Sequence, residues 1–444
     1  MFHSHKKLRW ILTVATSFAA VSLTACAPGG GSADAEKVPV STDIDAKAST
    51  MSIMVASDNV DNIEQLVAGF EEEHPNVTVE IRSDSFANLQ ANAPRIMAGA
   101  DAPDLMYLPT LGNTVKDDLI LNLDDYAAAY GWDEFPARQL EGMRVGEDGT
   151  TKGDGSLYSM GMGYTMTGLY YNVRLARQAG IESAPRTLAE FEAALEKAKS
   201  SGVTPLISSG KDATVFYIFQ SLLQDRIGSQ SVTDWIYDKP EATIDNDGAV
   251  QAAQTLQDWA QAGYLASDIN SLDGTAAAAA FAAGEGIFFA SGNWNNATLA
   301  SSLGEDVAFI PFPGATETTP VGLSDATAYA IPTKADNPNA AAGFLNWVNN
   351  SETGRSLVVT VSGLIPGGDT ESADGATTPL TGQILDAFAS VESGNGFAPF
   401  MGNATASIYS NTLTPQLQLL LAGKTTAEDF VGKVQSDYES QLGR

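Results

Sequence analysis

From Met51 onward the chain trades short apolar runs against amphipathic ones in a repeating order. Residues 52–56 are an apolar run of strand length. After Asp61 the apolar residues Ile63, Leu66, Val67 and Phe70 fall at helical spacing, and Asp61 with Glu64 has the spacing of a capping box. Pro75 stops that helix; Val77, Val79 and Ile81 then alternate with Thr78, Glu80 and Arg82, as a strand with one buried face requires. Strand, helix and strand within about 30 residues make a parallel βαβ unit. The pattern repeats with a helix near residues 88–98 and a buried strand at 104–107. This predicts a doubly wound lobe, with ligands expected beyond the strands' carboxyl ends, in the loops after Ala56 and Tyr107.

A second α/β region opens where Thr187 and Glu190 cap a helix carrying Leu188, Phe191 and Leu195, ended by Gly202. A short strand at 205–208 comes next, then helices around 215–226, 249–262 and 275–283, and apolar strands at 287–290 and 307–312. Residues 329–331 form another strand, leading to a helix opened by Asn337 and Pro338 with Ala341, Phe344, Leu345 and Val348 on its buried face. Two closing helices start at Thr414-Pro415 and at Thr425 with Glu428. No internal repeat is visible.

The N-terminus obeys a different logic. Lys6, Lys7 and Arg9 precede an apolar run from Trp10 to Val21 that is too short to span a bilayer, and Leu23-Thr24-Ala25 lead to Cys26, the only cysteine. These features predict a lipoprotein signal peptide over 1–25 with Cys26 as the lipidated residue. Paired acyl chains at about 0.8 kcal/mol per buried CH2 hold where one chain is marginal, so Cys26 is expected to tether the protein to the outer face of the membrane. Residues 26–50, rich in Gly, Ser, Ala and Asp and without periodicity, read as a flexible spacer.

Removing three cations and no acid with the signal peptide takes the formal charge from -30 to -33, which repels nucleic acid. With its one cysteine lipidated the chain has no disulfide, and no later stretch is long and apolar enough to cross a bilayer. His74 is the only histidine outside the signal peptide, and it sits at a helix end, where a cation suits the helix dipole better than it suits catalysis. No zinc spacing, phosphate loop, dinucleotide fingerprint or calcium loop occurs, so neither cofactor nor metal is expected.

One ordered set of short motifs remains: Gly155-Ser-Leu-Tyr158, Gly168-Leu-Tyr-Tyr-Asn172, Pro185-Arg-Thr-Leu-Ala-Glu-Phe191, Ala102-Pro-Asp-Leu105, Phe281-Ala-Ala-Gly284, Gly292-Asn-Trp294, Pro311-Phe-Pro-Gly314 and Gly363-Leu-Ile-Pro366. In order and spacing these resemble family 1 extracellular solute-binding proteins, the class that includes the maltose-binding protein of ABC importers. The resemblance implies a two-lobed, periplasmic-binding-protein-like α/β fold of type II, its lobes joined by crossings near 164–168, 320–322 and 363–366. That divides the chain into an N-terminal lobe of 51–165 with 322–363 and a C-terminal lobe of 166–321 with 364–444. It also implies a carbohydrate ligand, an ABC permease with its ATPase as partner, a monomer, and no catalysis. A non-sugar solute receptor and a surface carbohydrate hydrolase stay open as alternatives.

Sugars call for flat rings against their C–H faces and amides or carboxylates for their hydroxyls. On that ground, and from family positions, the expected ligand-binding residues are Asp58, Asn59, Tyr107, Tyr164, Tyr217, Asn293, Trp294, Asn295, Asp325 and Tyr409. Core packing competes for Tyr107, Phe216 and Tyr217, a turn role competes for Asp58 and Asp325, and Phe400 competes with Tyr409.

Overall fold

The strands form two main sheets, and the direction of each strand decides where a ligand can reach. The computed structural model describes residues 38–444 except Ser85, Pro109, Gly112, Ala213, residues 369–377 and Ala406; the side chains of Asp58, Phe86, Ala87, Gln90 and Ala91 are also outside the description, as is Cys26. The first sheet contains β1 (Ser49–Ala56), β2 (Val77–Asp84), β3 (Leu105–Tyr107) and β4 (Met160–Tyr164). The second contains β5 (Thr167–Asn172), β6 (Thr204–Ile207), β7 (Gly286–Gly292) and β8 (Val307–Ile310), and the chain then returns to the first sheet as β9 (Ala326–Ala330). Strand orders are β2-β1-β3-β9-β4 and β8-β5-β7-β6.

In each sheet one strand runs against the others. β9 runs antiparallel to β3 and β4, and β5 runs antiparallel to β7 and β8, while β1, β2 and β3 are parallel, as are β6 and β7. Both exceptions come directly after a crossing. A strand that enters a sheet from the junction must run away from it, whereas every other strand runs toward it. The carboxyl ends of β1, β3, β6 and β7 therefore all lie on the junction side, where loops after parallel strands gather.

Local signals account for most helices. Thr187 caps Leu188–Ser200 by accepting from the Glu190 N–H, Asn246 caps Asp247–Gln261, and Asp273 caps Gly274–Ala282. The box expected at Asp61 does not form. A 3-10 turn at Ser57–Asn59 runs into helix Val60–Glu73, and Asn59 at its cap makes no side-chain bond. The last helix is capped by Thr426, one residue beyond the expected Thr425. Helices Asp124–Tyr130, Glu352–Thr360 and Pro379–Ser393 have no counterpart among the elements expected from the sequence.

The expected spacer does not reach residue 50. Ser41 N–H donates to Asn339 Oδ1 at 3.1 Å, Asp45 pairs with His74 at 2.7 Å and accepts from the Asn76 N–H, and β1 begins at Ser49. A Cβ added at Gly343 would lie 2.7 Å from Ile44 Cδ1, so Ile44 occupies the notch that this glycine leaves on helix Pro338–Asn350. Residues 40–444 pack as one unit. Among the described residues, no helix is long and apolar enough to cross a membrane.

Among the described residues the chain passes between the sheets three times. The first passage, Thr165-Met166, joins β4 to β5. The second falls at Ser324-Asp325, later than the expected 320–322, because Gly322 and Leu323 pair with Phe397 and Ala398 before the chain reaches β9. The third is at Gly363–Ile365, where Ile365 and Tyr164 exchange backbone bonds of 2.7 and 3.0 Å. Gly163, just before the first passage, has φ +139°, and a Cβ there would lie 2.8 Å from Leu364 Cβ and 3.0 Å from Val358 Cγ1. Gly163→Ala should therefore combine backbone strain with overpacking and cost about 3 kcal/mol or more; urea denaturation with a loss under about 1 kcal/mol would show that the junction can relax.

Candidate functional site

Gly292 ends β7 at the junction, and its lack of a side chain shapes the turn after it. A Cβ there would fall 2.1 Å from the Trp294 ring, so the indole folds back over the glycine instead of entering a core. Trp294 is 43% exposed, which sets it apart from tryptophans of the hydrophobic interior such as Trp132 and Trp235 at 0%. Tyr217, in the first turn of helix Phe216–Ile227, meets its ring edge-on at 5.9 Å between centroids, and Phe400 lies at 6.4 Å. Tyr217 and Phe400 are 5.7 Å apart, and Phe216 links this group to Tyr409 at 5.7 Å. The Tyr409 hydroxyl donates to the Asp212 carbonyl. Burial raises the Tyr217 hydroxyl's pKa, with the Tyr409 and Asp212 charges adding to the effect, so this phenol stays neutral.

The structure therefore brings together three expected residues, Tyr217, Trp294 and Tyr409, and adds Phe400 as a full member of the group. Edge-to-face packing holds the rings in place and leaves one large indole open to solvent.

Other expected residues have different positions. Tyr164 is 3% exposed and its hydroxyl donates to the Gln139 carbonyl at 3.0 Å. Asn293 is 0% exposed; its Oδ1 accepts from the Met166 N–H at 3.0 Å, and its Nδ2 donates to the Tyr164 and Gly363 carbonyls at 3.2 and 2.8 Å. Both side chains are committed to the junction, and neither is presented to a ligand. Asn295 donates to Ser291 Oγ at 2.7 Å and orders the turn. Asn59 and Tyr107 lie at the carboxyl ends of β1 and β3, partly buried, with the Tyr107 ring 5.4 Å from Tyr329. Asp58 stands in the turn after β1, with its side chain outside the description.

Asp325 sits on the second passage. Thr165 donates to its carbonyl through both N–H and Oγ1 at 3.0 Å, and Thr165 Oγ1 accepts from its N–H at 3.2 Å. Its Oδ2 accepts from Asn403 Nδ2 at 2.7 Å and from the Phe400 N–H at 3.3 Å, so the same residue holds the loop that carries the Phe400 ring. Beside it is a cavity of about 80 Å³, lined among others by Arg138, Glu141, Tyr237 and Pro399. Burial pushes the Asp325 carboxyl up to about 7, against the lowering effects of Asn403, the Phe400 N–H and the Lys152 charge. Burial likewise raises Glu141 and lowers Lys152. Arg138, Glu141, Lys152 and Tyr237 lie in stretches where the sequence shows no period or motif, and nothing local marks them. Among the described residues no group of three or more His, Cys, Asp or Glu is placed to hold a metal ion.

An acid held above its ordinary value of 3.8 takes up its proton more readily in the native state than in the unfolded chain. Its contribution to stability is full below that value and declines as pH rises toward 7. Asp325→Asn should abolish this dependence. Between pH 5 and 8 the wild type should lose stability relative to the variant, by at most about 3 kcal/mol; parallel stability curves for the two proteins would place the Asp325 titration elsewhere.

Residues 56–354 match the sequence model of the bacterial extracellular solute-binding proteins. No curated protein matches the chain. Among solved structures, a chitin oligosaccharide binding protein is 20% identical with a TM-score of 0.72, over 89% of this chain and 100% of that one. The GacH receptor of Streptomyces glaucescens, solved unliganded and with acarbose, is 18% identical with a TM-score of 0.70, over 89% and 99%. A family 1 extracellular solute-binding protein of Bifidobacterium longum subsp. infantis is 20% identical with a TM-score of 0.70, over 89% and 100%. At such identities the structural likeness establishes the fold, two-lobed and periplasmic-binding-protein-like. Because the family match spans more than half of its length, this chain belongs to the bacterial extracellular solute-binding protein family.

Proposed function

We propose that this protein is the lipid-anchored, extracytoplasmic binding component of an ABC transporter, capturing a sugar or oligosaccharide between two hinged lobes and delivering it to a membrane permease. The exposed Trp294 ring, buttressed by Tyr217 and Phe400 at the carboxyl end of β7, is the observation that carries the reading. An indole left open on a rigid aromatic base suits the apolar face of a pyranose. Structural neighbours named for chitin oligosaccharide and acarbose binding support a carbohydrate.

The first lobe would be built on the sheet of β1 and the second on the sheet of β7, with Asn59 and Tyr107 facing the rings across the cleft. Closure of the lobes by hinge bending buries the sugar, and the ligand drives closure only through its differential affinity for the two states. The protein itself breaks no bond. A turnover assay on the same glycans tests this, since product release would make it a hydrolase.

Trp294→Ala should cost little stability, because the ring is open, whereas loss of a core tryptophan costs about 3 to 5 kcal/mol. Affinity should fall by about 2 kcal/mol or more, around thirtyfold in Kd. Calorimetry with a glycan panel and the apo denaturation midpoint decide together; gross destabilisation with unchanged affinity per folded molecule would move the site elsewhere. Cys26→Ala should abolish labelling by an alkyne fatty acid while the binding fold survives, and persistent labelling would refute lipidation at Cys26.

A further inference from the structure

The side chain next to the exposed indole makes three hydrogen bonds at the junction. Asn293 is 0% exposed. Its N–H donates to the Met166 carbonyl on the first passage and its Oδ1 accepts from the Met166 N–H, both at 3.0 Å; its Nδ2 donates to the carbonyls of Tyr164, at the end of β4, and Gly363, on the third passage. The next residue is Trp294.

Other contacts hold the Trp294 ring in a different way. Gly292 lies beneath it, and Tyr217 and Phe400 lie beside it. Tyr217 and Gly292 belong to elements of the second sheet and its helices and fix the ring relative to that sheet, while Phe400 sits on a loop bonded to Asp325 on the second passage. The Asn293 bonds reach past that sheet to the two passages that the lobes would turn about. We propose that Asn293 is a positioning residue for ligand binding: it sets the Trp294 ring relative to the hinge, so that one orientation of the indole meets the sugar as the opposite loops close. This rests on the reading of Trp294 as the sugar-stacking ring.

The chemistry requires an amide. The position must accept one bond and donate two within one plane, which only a carboxamide does in this volume. Aspartate would set a carboxylate oxygen against two carbonyls, and alanine would leave Met166 N–H and both carbonyls without the amide's bonds.

A double-mutant cycle separates positioning from bulk stabilisation. Asn293→Ala, Trp294→Ala and the pair are titrated by calorimetry with N,N′,N″-triacetylchitotriose, maltotriose and raffinose, affinities being taken per folded molecule. Asn293→Ala should weaken the best binder about tenfold in the wild-type background and less than about threefold once Trp294 is gone. Equal losses in both backgrounds, or no loss at all, overturn the proposal while leaving the sugar reading intact; failure of the wild type to bind any of the three sinks both. A sugar-free readout stands beside it. The emission that Trp294→Ala removes should become more accessible to acrylamide in Asn293→Ala, and unchanged quenching counts against positioning. Should the alanine variant not fold, Asn293→Ser keeps a neutral hydroxyl that can donate to one of the two carbonyls, and the same cycle and quenching apply.

Discussion

Three strands of chain leave one sheet for another within a few residues of each other, and their backbone groups are buried where no regular ladder can serve them. Every such group must find a partner or cost about 1 to 3 kcal/mol. The junction meets that demand with side chains used as pieces of backbone. Thr165 Oγ1 both donates to and accepts from Asp325, Thr167 Oγ1 accepts from the Leu323 N–H at 3.0 Å, and Asn293 serves the first and third passages at once. These bonds have directions, so they fix the passages against one another while leaving the sheets on either side free of that constraint.

Strand direction carries the same logic outward. Because β5 and β9 are the strands that leave the junction, the loops after β1, β3, β6 and β7 converge on it, those after β1 and β3 being the ones the parallel βαβ pattern pointed to. Loop residues then differ by only one position in the chain and by everything in environment. Asn293 is enclosed and Trp294 is exposed, and the deciding agent is a set of carbonyls more than 60 residues away in sequence.

That contrast marks what a sequence conveys. Periods of 2 and 3.6 and caps such as Thr187 are local, and the elements they specify are present. The rings that gather around Trp294 were legible too, because Tyr217, Trp294 and Tyr409 are aromatic whichever way they turn. Which rings turn outward was not. Tyr164 has the same side chain as Tyr217, yet Gln139, 25 residues earlier in an unpatterned stretch, claims its hydroxyl. The Asp61 box failed for a local reason that spacing alone conceals: a 3-10 turn already supplies the entry to helix Val60–Glu73.

The docked segment before β1 has a mechanical meaning. Ile44 in its notch and Asp45 on His74 fasten the chain to the amino end of β1, and β1 runs eight residues from there, about 26 Å, to the loop at the junction. Under the proposed anchoring, a pull from the bilayer would be borne by those fastenings and the first sheet's outer end, far from the passages. The load path bypasses the pivot, so drag on a tethered molecule would reorient the whole body without prising its mouth open.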